Sequence, residues 1–451
     1  MIPVVTPEEM RAIDAAAAED TQVLIRRAAN AAAEVALQML GETSTKSVVV
    51  IAGNGNNGAD GRECAAILRD RGLQVEVFDA QDAPRRIDGV DLVIDAAFGT
   101  GFHGSYQAPE SDAPVLAIDI PSGVDGLTGK ACQGAVQATR TVTFAALKPG
   151  LLLGEGRMRA GDVTLRDISL DVTGCRINVV EDSDVRRAIA AQPQETHKWK
   201  SALSVVAGSP GMMGAAMFST RAAQRCGSGM VRLASPGVAA DQLPIGEAVA
   251  VDASADDWAV EILEDMLRSR AAVVGPGLGR SENTSRNVLK LVEQFDGPLL
   301  LDADGLWAVS NEGGLQTLAK RGAPTVLTPH DKEFERLAGK EVGEDRIAAA
   351  RELAAKTCAT VLLKGSTTVV ADPSGQVLLS IHGSARLGTA GTGDVLSGVI
   401  GALLAQGLSG LQAGALGAHI HQMAALRGRK RGLIASDLPE LIADYLSEVC
   451  E

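Results

Sequence analysis

The stretch Leu387-Gly-Thr-Ala-Gly-Thr-Gly-Asp-Val-Leu-Ser-Gly398 has residue types and spacing that suit chemistry. Its glycines let the backbone turn tightly and point several N–H groups at one spot. Asp394 then opens an apolar helix, VLSGVIGALLAQG, whose N-terminus adds partial positive charge at the same place. The product is an anion hole with a carboxylate on its rim. Phosphoryl transfer needs both parts, donors for the migrating group and a base for the accepting hydroxyl. A glycine-rich turn capped by an Asp reads the same way in isolation, so the weight lies in its company.

That company comes from widely separated segments. Gly208-Ser-Pro-Gly-Met-Met-Gly-Ala215-Ala216 opens a helix after a strand, and Gly275-Pro-Gly277-Leu-Gly279 follows another. Then come Asp302-Ala-Asp304, Thr328-Pro-His330-Asp-Lys-Glu-Phe334 and Lys364-Gly365-Ser366-Thr367-Thr368. Lys364 supplies a cation and the three hydroxyls supply small donors for phosphates, whereas Asp302 and Asp304 read as turn caps of lower weight.

A second constellation sits earlier. Gly53-Asn-Gly-Asn56-Asn57-Gly58-Ala59-Asp60-Gly61 follows a strand and opens a helix, a setting in which backbone amides cradle phosphate. Its spacing is not that of the dinucleotide fingerprint, and the next strand offers no acidic residue in the usual ribose-binding role. Two further strand ends give Asp95-Ala-Ala-Phe-Gly99-Thr100-Gly101-Phe102-His103-Gly104 and Asp119-Ile-Pro-Ser122-Gly-Val-Asp125. Asp60, Asp95 and Asp119 therefore reach one rim. Each alone is an ordinary cap or turn former, but three at one edge point to a site.

Those residues need parallel strands to position them. Thr6-Pro7-Glu8-Glu9 is a capping box, so a helix should start there and run to about Leu40. Strands are expected at 47–53, 74–79, 90–96, 114–120 and 140–146, with a crossover helix over 61–72. Continuous apolar strands alternating with helices predict a parallel sheet covered on both faces. The pattern weakens before Trp199, which places a domain boundary near 185–197 and gives two α/β, doubly wound domains over 1–185 and 195–451. The second repeats the alternation from a strand at 202–209, and ligands of such sheets bind outside the strands' carboxyl ends.

Composition narrows the function classes. The chain has 451 residues, 46% hydrophobic and 22% charged, with mean hydropathy +0.10, enough for two sizeable cores. A net charge of −14 with pI near 5.0 argues against nucleic-acid binding. Six scattered cysteines without CxxC spacing read as reduced thiols, and no apolar run reaches spanning length, so a cytoplasmic protein without membrane contact is expected. A homo-oligomer is left open.

The first constellation resembles the N-terminal domain of the NAD(P)HX epimerases, whose pattern is GPGNNGGDG, DxxFGTG and DxPSG; the likeness covers roughly 1–175. Asn54 and Ala59 replace a Pro and a Gly of that pattern, and alanine would strain position 59 if its φ were positive. The second, over about 190–448, resembles the ADP-dependent NAD(P)HX dehydratases of ribokinase-like fold, with Ala390 in place of a Gly. These likenesses imply a Rossmann-like and a ribokinase-like domain. They imply binding of NADHX or NADPHX by residues 56–60, 99–104 and Asp119 in the first, and by Ala215, Gly277, His330 and Asp394 in the second. They imply nucleotide, ADP or ATP with Mg²⁺, at 364–368 and at Gly391, Thr392 and Gly393. A K⁺ ion falls to Asn57, Asp95 and Ser122, and the acid–base roles to Asp119 and Asp394. Replacing Asp119 with Ala should spare the fold, since a strand-edge carboxylate carries little packing. The C-terminal half from about Gln192 should act alone. A small-molecule kinase with a non-catalytic N-terminal domain is the alternative.

Overall fold

The computed structural model describes residues 1–41, 45–189, 196–244, 246–311 and 313–450, and divides into two compact units, Ile2–Ile177 and the chain from Asn178 onward. The stretch expected to hold the boundary includes 190–195, outside the described residues, as is Gln192. The second unit begins earlier because the helix Asp182–Ala188 belongs to it. Asp182 is bonded to His419 Nε2 and to the Tyr445 hydroxyl, both at 2.8 Å, and Arg186 Nε donates to the Val449 carbonyl at 2.7 Å. The acidic start of that helix hides an attachment that only its partners reveal.

In the first unit the strands stand in the order Gln74–Asp79, Ser47–Ala52, Leu92–Ala96, Val115–Ile118, Arg140–Phe144, Asp162–Arg166, and every neighbouring pair is parallel. The central strands are buried along nearly their whole length, which their unbroken Val/Ile/Leu/Ala runs require. The chain leaves Ser47–Ala52 toward one edge and returns to its other side at Leu92–Ala96. The topological switch point, where a cleft opens in such sheets, thus lies between the turns at 53–56 and 97–102.

The single helix expected from Pro7 to Leu40 is two, Pro7–Ala16 and Thr21–Leu40. Thr6 and Glu9 form the capping box, but Ala17 is extended and Asp20 caps the second helix by accepting from Gln22 N at 2.8 Å. An alanine-rich run carries no mark of that break. It sets Asp14 and Leu24 against the same cleft.

In the second unit the described strands run Ile177–Val179, Val377–Ser380, Thr368–Ala371, Thr360–Leu363, Thr325–Leu327, Leu299–Leu301, Ala271–Val274, Ala202–Val206, Met230–Ala234, Val249–Val251. From Thr360–Leu363 to Val249–Val251 neighbours are parallel; Thr360–Leu363, Thr368–Ala371 and Val377–Ser380 form antiparallel pairs. That antiparallel extension went unseen because Ser-Thr-Thr reads as a loop. The helix Met213–Arg225 packs beside the apolar helix Thr392–Ala405.

One glycine decides how closely the first helix approaches its strand. A Cβ on Gly58 would lie 1.8 Å from the Gly53 carbonyl oxygen, whereas one on Gly55 meets nothing within 4 Å. Gly58→Ala is expected to lower the unfolding free energy by about 1–3 kcal/mol, and Gly55→Ala by less than about 0.5 kcal/mol. Equal denaturation midpoints for the two variants would contradict this packing.

Candidate functional site

A cleft of ≈ 590 Å³ opens at the switch point of the first unit. Gly53–Asn57 and Gly99–Phe102 form its floor, and Asp14, Asp60, Asp119 and Lys148 face it. Asn56 begins the helix Asn56–Asp70 with its first-turn amides toward the turn, and Asn57, Gly58 and Asp60 are buried there. Ala59 is an ordinary helical residue whose N–H bonds to the Gly55 carbonyl at 3.0 Å, and its φ is not positive. Alanine is therefore the better helix former at that position by about 1 kcal/mol, and the strain feared from the sequence does not arise.

A buried ion pair in the cleft went unread in the sequence. Lys148, 1% exposed, pairs through Nζ with Asp119 Oδ1 at 2.7 Å and donates to Thr143 Oγ1 at 2.9 Å and the Phe144 carbonyl at 3.0 Å. Thr143 Oγ1 also donates to Asp119 at 3.1 Å. Asp119 stands at φ 67°, left-handed, as does nearby Ala145 at φ 61°. A left-handed Asp is tolerated where its side chain is bonded locally. Lys148 had no spacing signal; only its place after a strand offered a hint.

The surrounding carboxyls are pushed apart. Burial raises Asp60, the Asp119 and Asp14 carboxylates raise it further, Lys148 opposes, and the pKa reaches about 8. Burial likewise raises Asp95 to about 6 against hydrogen bonds from Ser122 and Ala97. Asp95 Oδ1 accepts from Ser122 Oγ at 2.7 Å and Oδ2 from Ser122 N at 2.8 Å, while Phe98 N donates to Ser122 Oγ at 2.8 Å. Asp95 and Ser122 thus stand behind the floor and fasten it. Asn57 does line the cleft, and neither its Oδ1 nor its Nδ2 has a protein partner although both are buried. His103 is 84% exposed and 3.9 Å from Asp125, and neither it nor Gly104 lines the cleft. An acidic residue does close the next strand: Asp79 ends Gln74–Asp79 and faces the cleft.

In the second unit the strand ends and the glycine loop meet around another lysine. Lys364 Nζ pairs with Asp302 Oδ1 at 2.7 Å, and Ser397 Oγ donates to Asp302 Oδ2 at 2.7 Å. A Cβ on Gly393 would stand 3.7 Å from Lys364 Nζ and 3.9 Å from Asp302 Oδ2, so the loop runs directly past the pair. Gly391 caps the helix Thr392–Ala405 at φ 91°, a conformation that favours glycine. Thr392 Oγ1 lies 2.8 Å from the Leu387 carbonyl, and Asp394 sits in the first helical turn. Burial lifts Asp394, Asp302 and Asp304 lift it further, Lys364 opposes, and its pKa reaches about 6. Burial works against the Lys364 ammonium, but Asp302, Glu333 and Asp394 outweigh it and hold its pKa above the usual lysine value.

Asp302 is thus central and not a mere cap, and Ala303 beside it carries φ 49° and ψ −113°. Asp304 does serve structure, accepting from Gly279 N at 2.8 Å and Arg280 Nε at 2.9 Å. Ala215 and Gly277 touch, with 2.9 Å from the Ala215 Cβ to a Cβ on Gly277. His330 caps the helix Asp331–Ala338, its Nδ1 accepting from Lys332 N at 3.2 Å, and its ring is 54% exposed. Gly365 and Ser366 are exposed; Thr367 and Thr368 are buried, and Thr368 begins a strand with its hydroxyl bonded to Gln422 at 3.2 Å. Among the described residues no group of three or more His, Cys, Asp or Glu is disposed to hold a metal, and no helix is long and apolar enough to cross a membrane.

Residues 203–448 match the NAD(P)H-hydrate dehydratase family, and 21–86 and 78–150 match the YjeF-related protein N-terminus. A bifunctional NAD(P)H-hydrate repair enzyme from Mycobacterium leprae is 39% identical over 89% of each chain, and one from Escherichia coli is 31% identical over 86% of this chain and 83% of its own. The structure of an ADP/ATP-dependent NAD(P)H-hydrate dehydratase from Bacillus subtilis, co-crystallised with ATP and Mg²⁺, superposes with TM-score 0.51 at 26% identity, over 60% of this chain and 97% of that one.

The Lys148–Asp119 pair overturns the expectation that alanine at 119 spares the fold. Asp119→Ala strands a buried ammonium and is expected to cost about 3 kcal/mol of stability. Asp119→Asn keeps an acceptor and tolerates the left-handed backbone, and should cost about 1 kcal/mol. Chemical denaturation of both variants checks the order; alanine as stable as asparagine would refute the pair's importance.

Proposed function

The chain belongs to the NAD(P)H-hydrate dehydratase family and, over most of its length, to the bifunctional NAD(P)H-hydrate repair enzymes, and from that premise we propose how its residues divide the work. The protein repairs hydrated nicotinamide cofactors, epimerising R- and S-NAD(P)HX and dehydrating the S form with a nucleotide co-substrate. Relatives that match across both units displace the small-molecule kinase alternative.

The second unit is the dehydratase. The observation that carries this reading is Asp394, in the first turn of a helix behind a glycine loop, with its pKa lifted to about 6. As the nucleotide's terminal phosphoryl moves to the C6 hydroxyl of the S hydrate, Asp394 takes the hydroxyl proton. The amides of Gly391, Thr392 and Gly393 hold the migrating phosphoryl. The C6–O bond then breaks, phosphate leaves, and loss of a proton from C5 restores the ring double bond. Lys364 holds Asp302 and the loop in register and keeps Asp394 ionised near neutrality. Mg²⁺ would ride on the nucleotide's phosphates, its usual mode.

The first unit is the epimerase. Its cleft takes the diphosphate on the first-turn amides from Asn56 onward and turns the hydrated nicotinamide toward Asp119. Asp119, held by Lys148 and Thr143, is the acid–base group for C6. Asn57 fits a monovalent cation, because its buried Oδ1 lacks a protein partner, with the oxygens of Asp95 and Ser122 behind the same floor. K⁺ there would fix the floor and offset negative charge.

Asp394 must be ionised to accept a proton, so dehydratase turnover should rise with pH through about 6 and level off above it. Asp394→Asn should lower turnover by roughly 10²–10⁴ and erase that limb; a variant with near-wild-type turnover disproves the assignment. In the first unit, the initial rate on enriched R hydrate without nucleotide should collapse in Asp119→Asn. If the rate matches wild type there, Asp119 is no acid–base group.

A further inference from the structure

We infer that Asp79, with Arg62, sets which hydrated cofactor the N-terminal cleft prefers, favouring the hydrate of NADH over that of NADPH. This rests on reading the turn at 53–57 as the diphosphate seat. The strands Ser47–Ala52 and Gln74–Asp79 are parallel neighbours, with Ala52 opposite Asp79 and Ala80 N bonded to the Ala52 carbonyl at 2.9 Å. The phosphate-binding turn continues the first strand and Asp79 closes the second, one strand spacing (about 4.8 Å) to the side. Asp119 lies on the opposite side of that turn, beyond the strand Leu92–Ala96. A dinucleotide with its diphosphate over the turn and its nicotinamide at Asp119 therefore lays its adenosine ribose beside Asp79.

The chemistry at that end is acidic. Asp79 and Asp82 both face the cleft, and the Asp79 side chain is 58% exposed, with acceptor positions open to a ribose hydroxyl pair. The cation at this rim is already engaged. Arg62 Nη1 donates to the Gly53 carbonyl at 2.6 Å, and Nη2 pairs with Asp79. A 2′-hydroxyl donates to Asp79 and leaves this arrangement intact. A 2′-phosphate brings up to two negative charges against two carboxylates, and gains Arg62 only by breaking its bond to Asp79.

The test measures epimerisation kcat/KM for the hydrates of NADH and NADPH separately, on the full chain without nucleotide. Wild type is expected to favour the NADH hydrate by about tenfold or more, mostly through KM. Asp79→Asn removes one repelling charge and frees Arg62, so the ratio should move about tenfold toward the NADPH hydrate. Adding Arg62→Met to Asp79→Asn should withdraw that gain. Thermal unfolding checks that the variants fold; should Asp79→Asn fail to fold, the wild-type ratio decides. Turnover of both hydrates with equal kcat/KM, or a ratio unmoved by Asp79→Asn, overturns the inference and leaves the epimerase reading standing. A wild-type chain that epimerises neither hydrate overturns both.

Discussion

A lysine paired with a strand-end aspartate at 2.7 Å stands at the centre of each unit: Lys148 with Asp119, and Lys364 with Asp302. Taking two charges out of water is expensive, and their attraction repays it only when remaining donors and acceptors are filled. Thr143 and the Phe144 carbonyl complete the first pair, whereas in the second Ser397 fills Asp302 Oδ2 and the Lys364 side chain stays 23% exposed. Such a pair adds little net stability, but losing one partner is costly, so it holds the strand ends in one arrangement. In the first unit that arrangement includes the left-handed Asp119, and in the second the strained Ala303 beside Asp302. Strain of this kind persists only where its surroundings over-determine it.

Each pair also sets the charge of a carboxyl that is not part of it. Asp60 is buried within the field of Asp119 and reaches a pKa of about 8; Asp394 is buried within the field of Asp302 and reaches about 6. The lysine tempers the rise in both cases. Burial among neighbouring carboxylates thus lifts one carboxyl in each unit toward the range in which it can exchange protons near neutrality. Each carboxyl has a second negative neighbour as well, Asp14 beside Asp60 and Asp304 beside Asp394.

Much of this was legible in the sequence. Strand-then-glycine punctuation located the parallel edges and the aspartates that stand at them, because a parallel sheet delivers its carboxyl ends to one side. The glycine loop before Asp394 marked the start of the helix Thr392–Ala405 without any structure. What the sequence hid falls into two kinds. Lys148 and Ser397 act through aspartates on other strand ends, Asp119 and Asp302, and no local pattern marks a lysine that will be buried. The break at Ala17 and the antiparallel strands after Lys364 were missed because alanine runs and Ser/Thr runs suit more than one backbone state. Asp79 is a third case: the strand was drawn correctly and its last residue was overlooked.

The departures Ala59 and Ala390 show why a motif must be read through backbone geometry. Glycine is indispensable only where φ is positive or a Cβ has no room. Gly58 has no room and Gly391 has positive φ, whereas Ala59 is an ordinary helical residue one position away from Gly58. A substitution beside an essential glycine therefore says nothing about that glycine's role. The first-turn amides stay aimed at the cleft as long as Gly58 lets the helix sit against Gly53, and alanine at 59 strengthens the helix that presents them. The same reasoning separates Thr368 from Gly391 in the second unit. One is held in a strand by its side chain and the other frees a helix end, although both occur in runs that read as loops.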